Sequence, residues 1–562
     1  MPNKGVSEEV LERSKMSELA NEVTQRTDVT AVPDLALGTS KIGPVRTQIP
    51  IYVDLLPPCN NACPAGENIQ EWLRLIKEGK EEAAWRQLVR DNPFPAIHGR
   101  VCYHPCETAC NRADLDSSVS IHSVERYLGD LAIERGWTFQ KPVTHTGKRV
   151  MVVGAGPSGL SAAYHLARLG HEVEIFDSGE KVGGMMRYGI PAYRLPREIV
   201  DAEVERLKNL GIKIHLNHTV TDLQAEQSAG NFDASFIAVG AHLSKRVDIP
   251  SMDAEKMVDA VDFLRDVASG EKPRIGRRVA VYGGGNTAMD AARTARRMGA
   301  EEAVIIYRRN EEHMPAHREE LEEAEREGVQ VHWLRTISEV ADDVMVEVME
   351  LDEDGRPHST GKFEKLPADT VIMALGQVSD TAFLHNIDGL DFDGDTLKVN
   401  PVTLMTSVPG IFAGGDAVPS QRTVTVGTGH GKKAAKMIDA WLKNEDRYVK
   451  VKHPVVEFDD LHLWYFGDHP RTIQPELGTK ERMGFGEVVG SLTEEQAHFE
   501  ARRCLSCGNC FECDGCLGSC PEDAVIKLGK GHRYRFDYDK CTGCATCYEQ
   551  CPVHAIEMIP EN

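Results

Sequence analysis

Cysteine is missing from most of this chain. Of its 15 cysteines in 562 residues, five fall between Cys59 and Cys110 and ten between Cys504 and Cys551; residues 111–503 hold none. That gap excludes a redox disulfide in the centre of the protein. Long apolar runs are also lacking. No stretch approaches the roughly 18 residues of a membrane span, and Met1–Lys4 opens no signal-peptide pattern, so a cytoplasmic, reducing setting is expected. Positive charge is scarce: 87 acidic residues face 64 basic ones, a formal charge of −23. Nucleic acids and anionic membranes need clustered cations, so neither is an expected partner. A disulfide framework does not suit a reduced chain of this size, and the two cysteine groups read as metal ligands.

With 41% hydrophobic and 27% charged residues the chain has a globular balance, and its length calls for several domains. Residues 1–50 read as a lead-in with a helical patch near Glu8–Leu19. A helical cysteine domain follows over 51–145, where Ile69, Trp72, Leu73 and Ile76, then Ala83, Ala84, Leu88 and Val89, recur at helical spacing. From Lys148 the texture becomes α/β. A first dinucleotide domain is expected over 146–265, resumed at 375–443, with a second inserted over 266–374. Residues 444–503 form a connector with an aromatic group at Leu463–Phe466 and a helix from Thr493 to Arg503. Residues 504–562 form a small cysteine-rich module, expected to be α+β.

The segment Arg149–Ala163 is a buried strand entering a helix through Gly154, Gly156 and Gly159. Such glycines allow a tight turn and close approach to a pyrophosphate, which the helix N-terminus then attracts. Asp177 ends the next strand, where an acid can accept ribose hydroxyls. A second turn runs through Gly283, Gly285, Asn286 and Ala288, and its following strand ends in Arg308 and Arg309 instead of an acid. Two guanidiniums there suit a 2′-phosphate and favour NADPH over NADH. A third element places Asp416, after Gly415, at a strand end suited to a ribityl hydroxyl. Thr425 opens the helix beyond it.

On these motifs residues 148–443 resemble the flavoprotein oxidoreductases with two dinucleotide domains, which implies FAD at the first site and a nicotinamide at the second. The segments Gly183–Pro196, with Gly184 and Arg187, and Tyr307–Ala316 are closely similar to the small subunit of bacterial glutamate synthase. Disulfide reductases of that class carry a cysteine pair beside the flavin. This core has none, so electrons must leave the flavin by another route.

The last module carries Cys510-x2-Cys513-x2-Cys516-x3-Cys520-Pro and Cys541-x2-Cys544-x2-Cys547-x3-Cys551-Pro. This is the bacterial two-cluster ferredoxin spacing, in which each fourth cysteine serves the other cluster. One [4Fe–4S] takes Cys510, Cys513, Cys516 and Cys551; the other takes Cys541, Cys544, Cys547 and Cys520. The first group, Cys59, Cys63, Cys102, Cys106 and Cys110, resembles the cluster domain of glutamate synthase small subunits and dihydropyrimidine dehydrogenase. The resemblance implies two clusters, one held by Cys63, Cys102, Cys106 and Glu125. The cysteine pair those subunits carry before the equivalent of Cys59 is absent here. Cys504 and Cys507 have its form and are expected to complete a cluster with Cys59 and Cys110, within one chain or across a dimer. Fifteen cysteines and Glu125 then fill four clusters.

A nicotinamide carries hydride, a cluster carries one electron, and a flavin converts between them. The expected function is an NAD(P)H:acceptor oxidoreductase, an electron-transfer subunit with no catalytic acid, base or nucleophile. It serves a separate partner: a 2-oxoacid oxidoreductase, a sulfite-reductase-type enzyme or a ferredoxin. A glutamate synthase small subunit is the alternative, and a homodimer or a heteromeric complex fits either. A self-sufficient reductase like dihydropyrimidine dehydrogenase lacks room for its second active site, since only the connector separates flavin core and ferredoxin module.

Overall fold

The protein is described here by a computed structural model covering residues 46–561, apart from 246, 248, 252, 253 and 446–451. The helical patch expected near Glu8–Leu19 lies outside the described residues. The chain divides into two compact units. One comprises residues 59–451 and 469–504; the other takes 452–468 and 505–562 with the segment up to Pro58.

The larger unit is built on two parallel five-stranded sheets. In the first the strand order is Ile411–Ala413, Ala234–Ile237, Arg149–Val153, Glu172–Phe176, Lys213–His215. Its centre, Val150, Val152 and Phe236, is wholly buried beneath the helices Pro157–Arg168 and Val424–Leu442, as β-branched runs covered on both faces must be. The second sheet runs Gln330–Trp333, Glu302–Tyr307, Arg278–Tyr282, Thr370–Met373, Met257–Asp259. A three-stranded antiparallel meander over 335–366 joins it. The strand Met257–Asp259 and the helix Ala260–Ala268 belong with this second sheet, so that domain begins before the expected residue 266. Two short strands, Leu243–Ser244 and Gln377–Val378, pair antiparallel where the chain passes between the domains.

The cysteine domain of this unit is helical. Ile69–Lys77 buries Ile69, Trp72, Leu73 and Ile76, the stripe its sequence period predicts. Ile121–Glu134 crosses Pro95–Val101 so closely that a Cβ on Gly129 would stand 2.2 Å from the Ala96 nitrogen. Glu494–Arg503 is the helix expected of that segment, and it starts on a capping box between Thr493 and Gln496.

Among the described residues the smaller unit holds two antiparallel two-stranded sheets and two short α-helices, Gly515–Ser519 and Thr546–Glu549. Val525–Lys527 pairs with Tyr534–Phe536. Ile556–Pro560 pairs with Gln48–Tyr52, a strand from the other end of the chain. Residues 48–58, divided between lead-in and helical domain on sequence, therefore belong with the ferredoxin-like module. Arg46 seals the pairing through Glu561 and the Cys541 carbonyl.

Candidate functional site

The first cradle is cut by glycines. Gly154 has φ 106°, and a Cβ on it would lie 2.3 Å from the Ala238 oxygen; one on Gly159 would meet the Gly154 oxygen at 2.0 Å. Gly156 caps the helix Pro157–Arg168 with no side chain over its free N–H groups. Gly184 and Gly415 close in on it, their added Cβ atoms 2.9 Å from Gly156 Cα and Ser158 Cβ. Ser158 Oγ, at the first turn, is buried without a hydrogen-bond partner among the described residues. A bare helix start with an orphaned hydroxyl fits a pyrophosphate. Asp177 accepts the Ala155 and Gly179 N–H groups at 2.6 and 2.7 Å, which stiffens the turn. Arg187 donates to the Val182 carbonyl (2.6 Å) and pairs with Asp201, bracing the loop of Gly184. The Asp416 carboxyl has no hydrogen-bond partner among the described residues. Burial lifts its pKa to about 6, with Arg422 pulling the other way. A ligand hydroxyl is what such a carboxylate lacks.

The second cradle repeats the first. Gly283, at φ 147°, would place a Cβ 2.1 Å from the Ala374 oxygen. Gly285 caps the helix Asn286–Arg297, and Ala288, wholly buried, stands where a third glycine is common. Asn286 turns its carbonyl to the His317 N–H (2.9 Å), fixing the start of the next helix. At the end of the following strand Arg308 is exposed and Arg309 keeps a buried Nε without a partner among the described residues. Neither pairs with a carboxylate among the described residues, so both remain available to a phosphate.

One feature between the two cradles escaped sequence reasoning. Arg194 donates to both oxygens of Asp290 at 3.0 and 2.8 Å and also pairs with Glu320. Burial opposes its charge, and the two carboxylates more than offset that. Tyr193 beside it stacks under Arg297, 3.7 Å from ring centre to guanidinium. This clasp ties the flavin-side loop to the nicotinamide helix. No local pattern marks it, because its members lie about a hundred residues apart in sequence.

The cysteine set packs against the helix Val424–Leu442. The Thr425 hydroxyl hydrogen-bonds the Cys102 thiol, whose pKa burial and then the Glu125 charge raise to about 12. Lys432 reaches the Ala65 and Gly66 carbonyls (2.9 and 2.7 Å) and Asp91 (2.6 Å), clamping the loop after Cys63. Gly429 admits that loop; a Cβ there would stand 2.0 Å from the Pro64 oxygen. Burial raises the Cys63 thiol most, followed by Glu67, with Glu125 and Cys102 adding; Cys106 in turn feels Cys63, Cys102 and Cys59. Glu125 is 6% exposed, on the inner face of Ile121–Glu134. Asn92, another residue the sequence did not single out, donates to Glu125 (2.8 Å) and Glu67 (2.9 Å).

Cys59, Cys110 and Cys504 pack on one hydrophobic core. Arg112 donates to the Arg503 carbonyl at 2.6 Å, which brings the end of Glu494–Arg503, and Cys504 capping it, to the Cys110 turn. Arg503 is anchored by Asp116 and Glu500.

In the smaller unit Cys510, Cys513 and Cys551 all raise the Cys516 thiol, after burial, so these four share one locality. Cys520 lines one cavity with Cys541, Cys544 and Cys547, closed by Pro50, Phe536 and Met558. Asp514 and Ala545, each just past the second cysteine of its run, have left-handed φ of 62° and 63°. Two sets of four thiols fit two [4Fe–4S] clusters, with the fourth cysteines exchanged.

The family model described as pyridine nucleotide-disulphide oxidoreductase matches residues 148–431. That of dihydropyrimidine dehydrogenase domain II, 4Fe-4S cluster, matches 55–137, and a 4Fe-4S binding domain matches 534–557. The chain is 36% identical to the NADP(+)-dependent formate dehydrogenase subunit beta of Moorella thermoacetica, over 80% of this chain and 70% of the relative. It is 33% identical to the NADPH-Fe(3+) oxidoreductase subunit beta of Geobacter sulfurreducens, over 80% and 75%. Identity to the glutamate synthase [NADPH] small chain of Escherichia coli is 35%, over 69% and 89%. Among the described residues no helix is long and apolar enough to cross a membrane.

Proposed function

The chain belongs to the pyridine nucleotide-disulphide oxidoreductase family, and from that premise we propose that it passes electrons between NADPH and a separate redox enzyme in the cytoplasm. It is an NADPH-dependent FAD and iron–sulfur oxidoreductase. When bound, FAD would supply two-electron exchange with NADPH and one-electron exchange with [4Fe–4S] clusters. The chain's own part is placement. The Gly156 and Gly285 helix starts take the two pyrophosphates, Asp416 takes the ribityl chain, and Arg308 and Arg309 take the 2′-phosphate. The Arg194 clasp holds the two cradles in one register. No side chain has to move a proton for hydride to pass.

Sixteen residues would hold four clusters: Cys63, Cys102, Cys106 and Glu125; Cys59, Cys110, Cys504 and Cys507; and the two exchanged sets of the smaller unit. The single observation that carries this reading is the helix Val424–Leu442. It lines the flavin cradle, and through Thr425, Gly429 and Lys432 it also holds the loops of Cys102 and Cys63. Anaerobic titration of the holoprotein with NADPH tests it. Flavin bleaching should be accompanied by paramagnetic reduced-cluster signals. Flavin reduction with every cluster left oxidised sinks it.

A glutamate synthase small subunit is the second reading, carried by the 35% identity over 89% of that relative. The relatives that share more of this chain are subunits of other enzymes, so the first reading stands ahead.

A further inference from the structure

Of the six tryptophans only Trp464 is exposed, at 57%, and Tyr465 beside it is 45% exposed. Both lie on the short turn Leu463–Tyr465 of the smaller unit. Gly515 separates the indole from a cluster thiol: a Cβ there would stand 3.6 Å from the Trp464 ring and 3.4 Å from Cys513 Sγ. Tyr465 rests on Phe466 and Phe511, ring centres 5.3 and 5.2 Å away, and Phe511 lies between Cys510 and Cys513 in the chain. The turn is therefore fixed from beneath while its two largest rings face water. Soluble surfaces rarely leave such rings together unless something covers them.

The rim is acidic. Residues 457–468 hold Glu457, Asp459, Asp460 and Asp468 and no Lys or Arg. Asp459, Asp468 and Glu549 are exposed and pair with no cation among the described residues. Glu549 adjoins Gln550, whose carbonyl would stand 3.0 Å from a Cβ on Gly515. Two cations of the same unit are paired elsewhere: Lys527 with Asp514 at 2.7 Å and Arg533 with Asp54 at 2.9 Å.

We propose that this acid-rimmed aromatic face beside Cys513 is the docking surface for the electron partner, a redox protein presenting an apolar face ringed by Lys or Arg over its own redox centre. The proposal rests on reading Cys510, Cys513, Cys516 and Cys551 as a cluster of the electron-transfer chain. Rigid aromatic anchors supply contact area at small entropic cost, and the acids steer the encounter. A patch of this size suits a short-lived complex that releases once an electron has crossed. An acidic ferredoxin would be repelled by the same rim.

Cytochrome c, basic around an apolar haem edge, serves as the probe, and an acidic two-cluster ferredoxin as its opposite. One NADPH gives up two electrons to two cytochrome c molecules, leaving NADP⁺ and one proton. With the holoprotein, cytochrome c reduction should fall severalfold from low to high salt. It should drop about tenfold in Trp464→Ala/Tyr465→Ala. Asp459→Lys/Asp468→Lys, which leaves the rings in place, should lower it comparably. In both variants NADPH should still raise the wild-type cluster signals. Wild-type cytochrome c rates in the two variants overturn the proposal, as does faster reduction of the acidic ferredoxin. Clusters that NADPH fails to reduce in the wild type would instead overturn the electron-transfer reading beneath it.

Discussion

The Asp416 carboxylate of the flavin cradle has no hydrogen-bond donor among the described residues, and its titration gives the site a pH signature. Its folded pKa of about 6 stands above the unfolded carboxylate value of about 4. A raised acid contributes stability fully below the unfolded value and loses it as pH rises through the folded one, so the apoprotein weakens between pH 4 and 6. A ribityl hydroxyl donating to the carboxylate acts in the opposite sense, and FAD affinity should climb across the same window. Flavin fluorescence titration of FAD-stripped protein should give binding up to about tenfold weaker at pH 5 than at pH 7. Asp416→Asn should abolish the step; a wild-type affinity equal at both pH values refutes the role. Arg308 and Arg309 make a second prediction at this scale. A charge-assisted contact to phosphate is worth about 1.5–3 kcal/mol. Arg308→Ala/Arg309→Ala should therefore raise the KM for NADPH by about one to two orders of magnitude and leave that for NADH unchanged. A parallel rise for both nucleotides would show that the pair only supports the fold.

Between elements, the structure depends on small residues and buried charge. The helix Val424–Leu442 touches a strand-to-helix turn on one side and the Cys63 loop on the other, and Gly431 lets it: a Cβ there would lie 2.3 Å from the Ser158 oxygen. The Arg194 clasp makes the corresponding contact between the flavin-side loop and the helix Asn286–Arg297. Removing one partner of a buried pair leaves a charge uncompensated, at a cost of about 3–5 kcal/mol. Glu320 remains beside Arg194, so Asp290→Asn should fall at the low end of that range. Thermal unfolding should register the loss. Stopped-flow bleaching of the flavin by NADPH should slow as well, because the cradles lose their common register. Wild-type melting together with wild-type bleaching in the Asp290→Asn protein would leave the clasp without consequence.

At the scale of the whole molecule, the proposed ligand pair Cys504 and Cys507 is what ligand counting puts to the test. Cys504→Ser/Cys507→Ser should lose one cluster, about four iron atoms per chain, and elemental analysis of the holoprotein against the variant checks it. Equal iron in the two removes the pair from the ligand set. The glycine turns and the ferredoxin runs were legible in sequence because their chemistry is local: turn, helix start and ligand loop each lie within a dozen residues. Glu125 could be named only through resemblance, since its neighbours Asn92 and Glu67 come from loops distant in sequence. The strand Met257–Asp259 is three residues long, too short to show a period, and the Arg194 clasp depends on residues no window spans. The pairing of Gln48–Tyr52 with Ile556–Pro560 was invisible for the same reason. It also sets an order of manufacture. At roughly 5–20 residues per second the ribosome makes the first strand on the order of a minute before its partner. The cavity of Cys520, Cys541, Cys544 and Cys547, which Pro50 helps to close, cannot be finished until Met558 has been made. A chain broken off before Met558 leaves that thiol pocket unmade, so a truncated product could not load the iron those four thiols would hold.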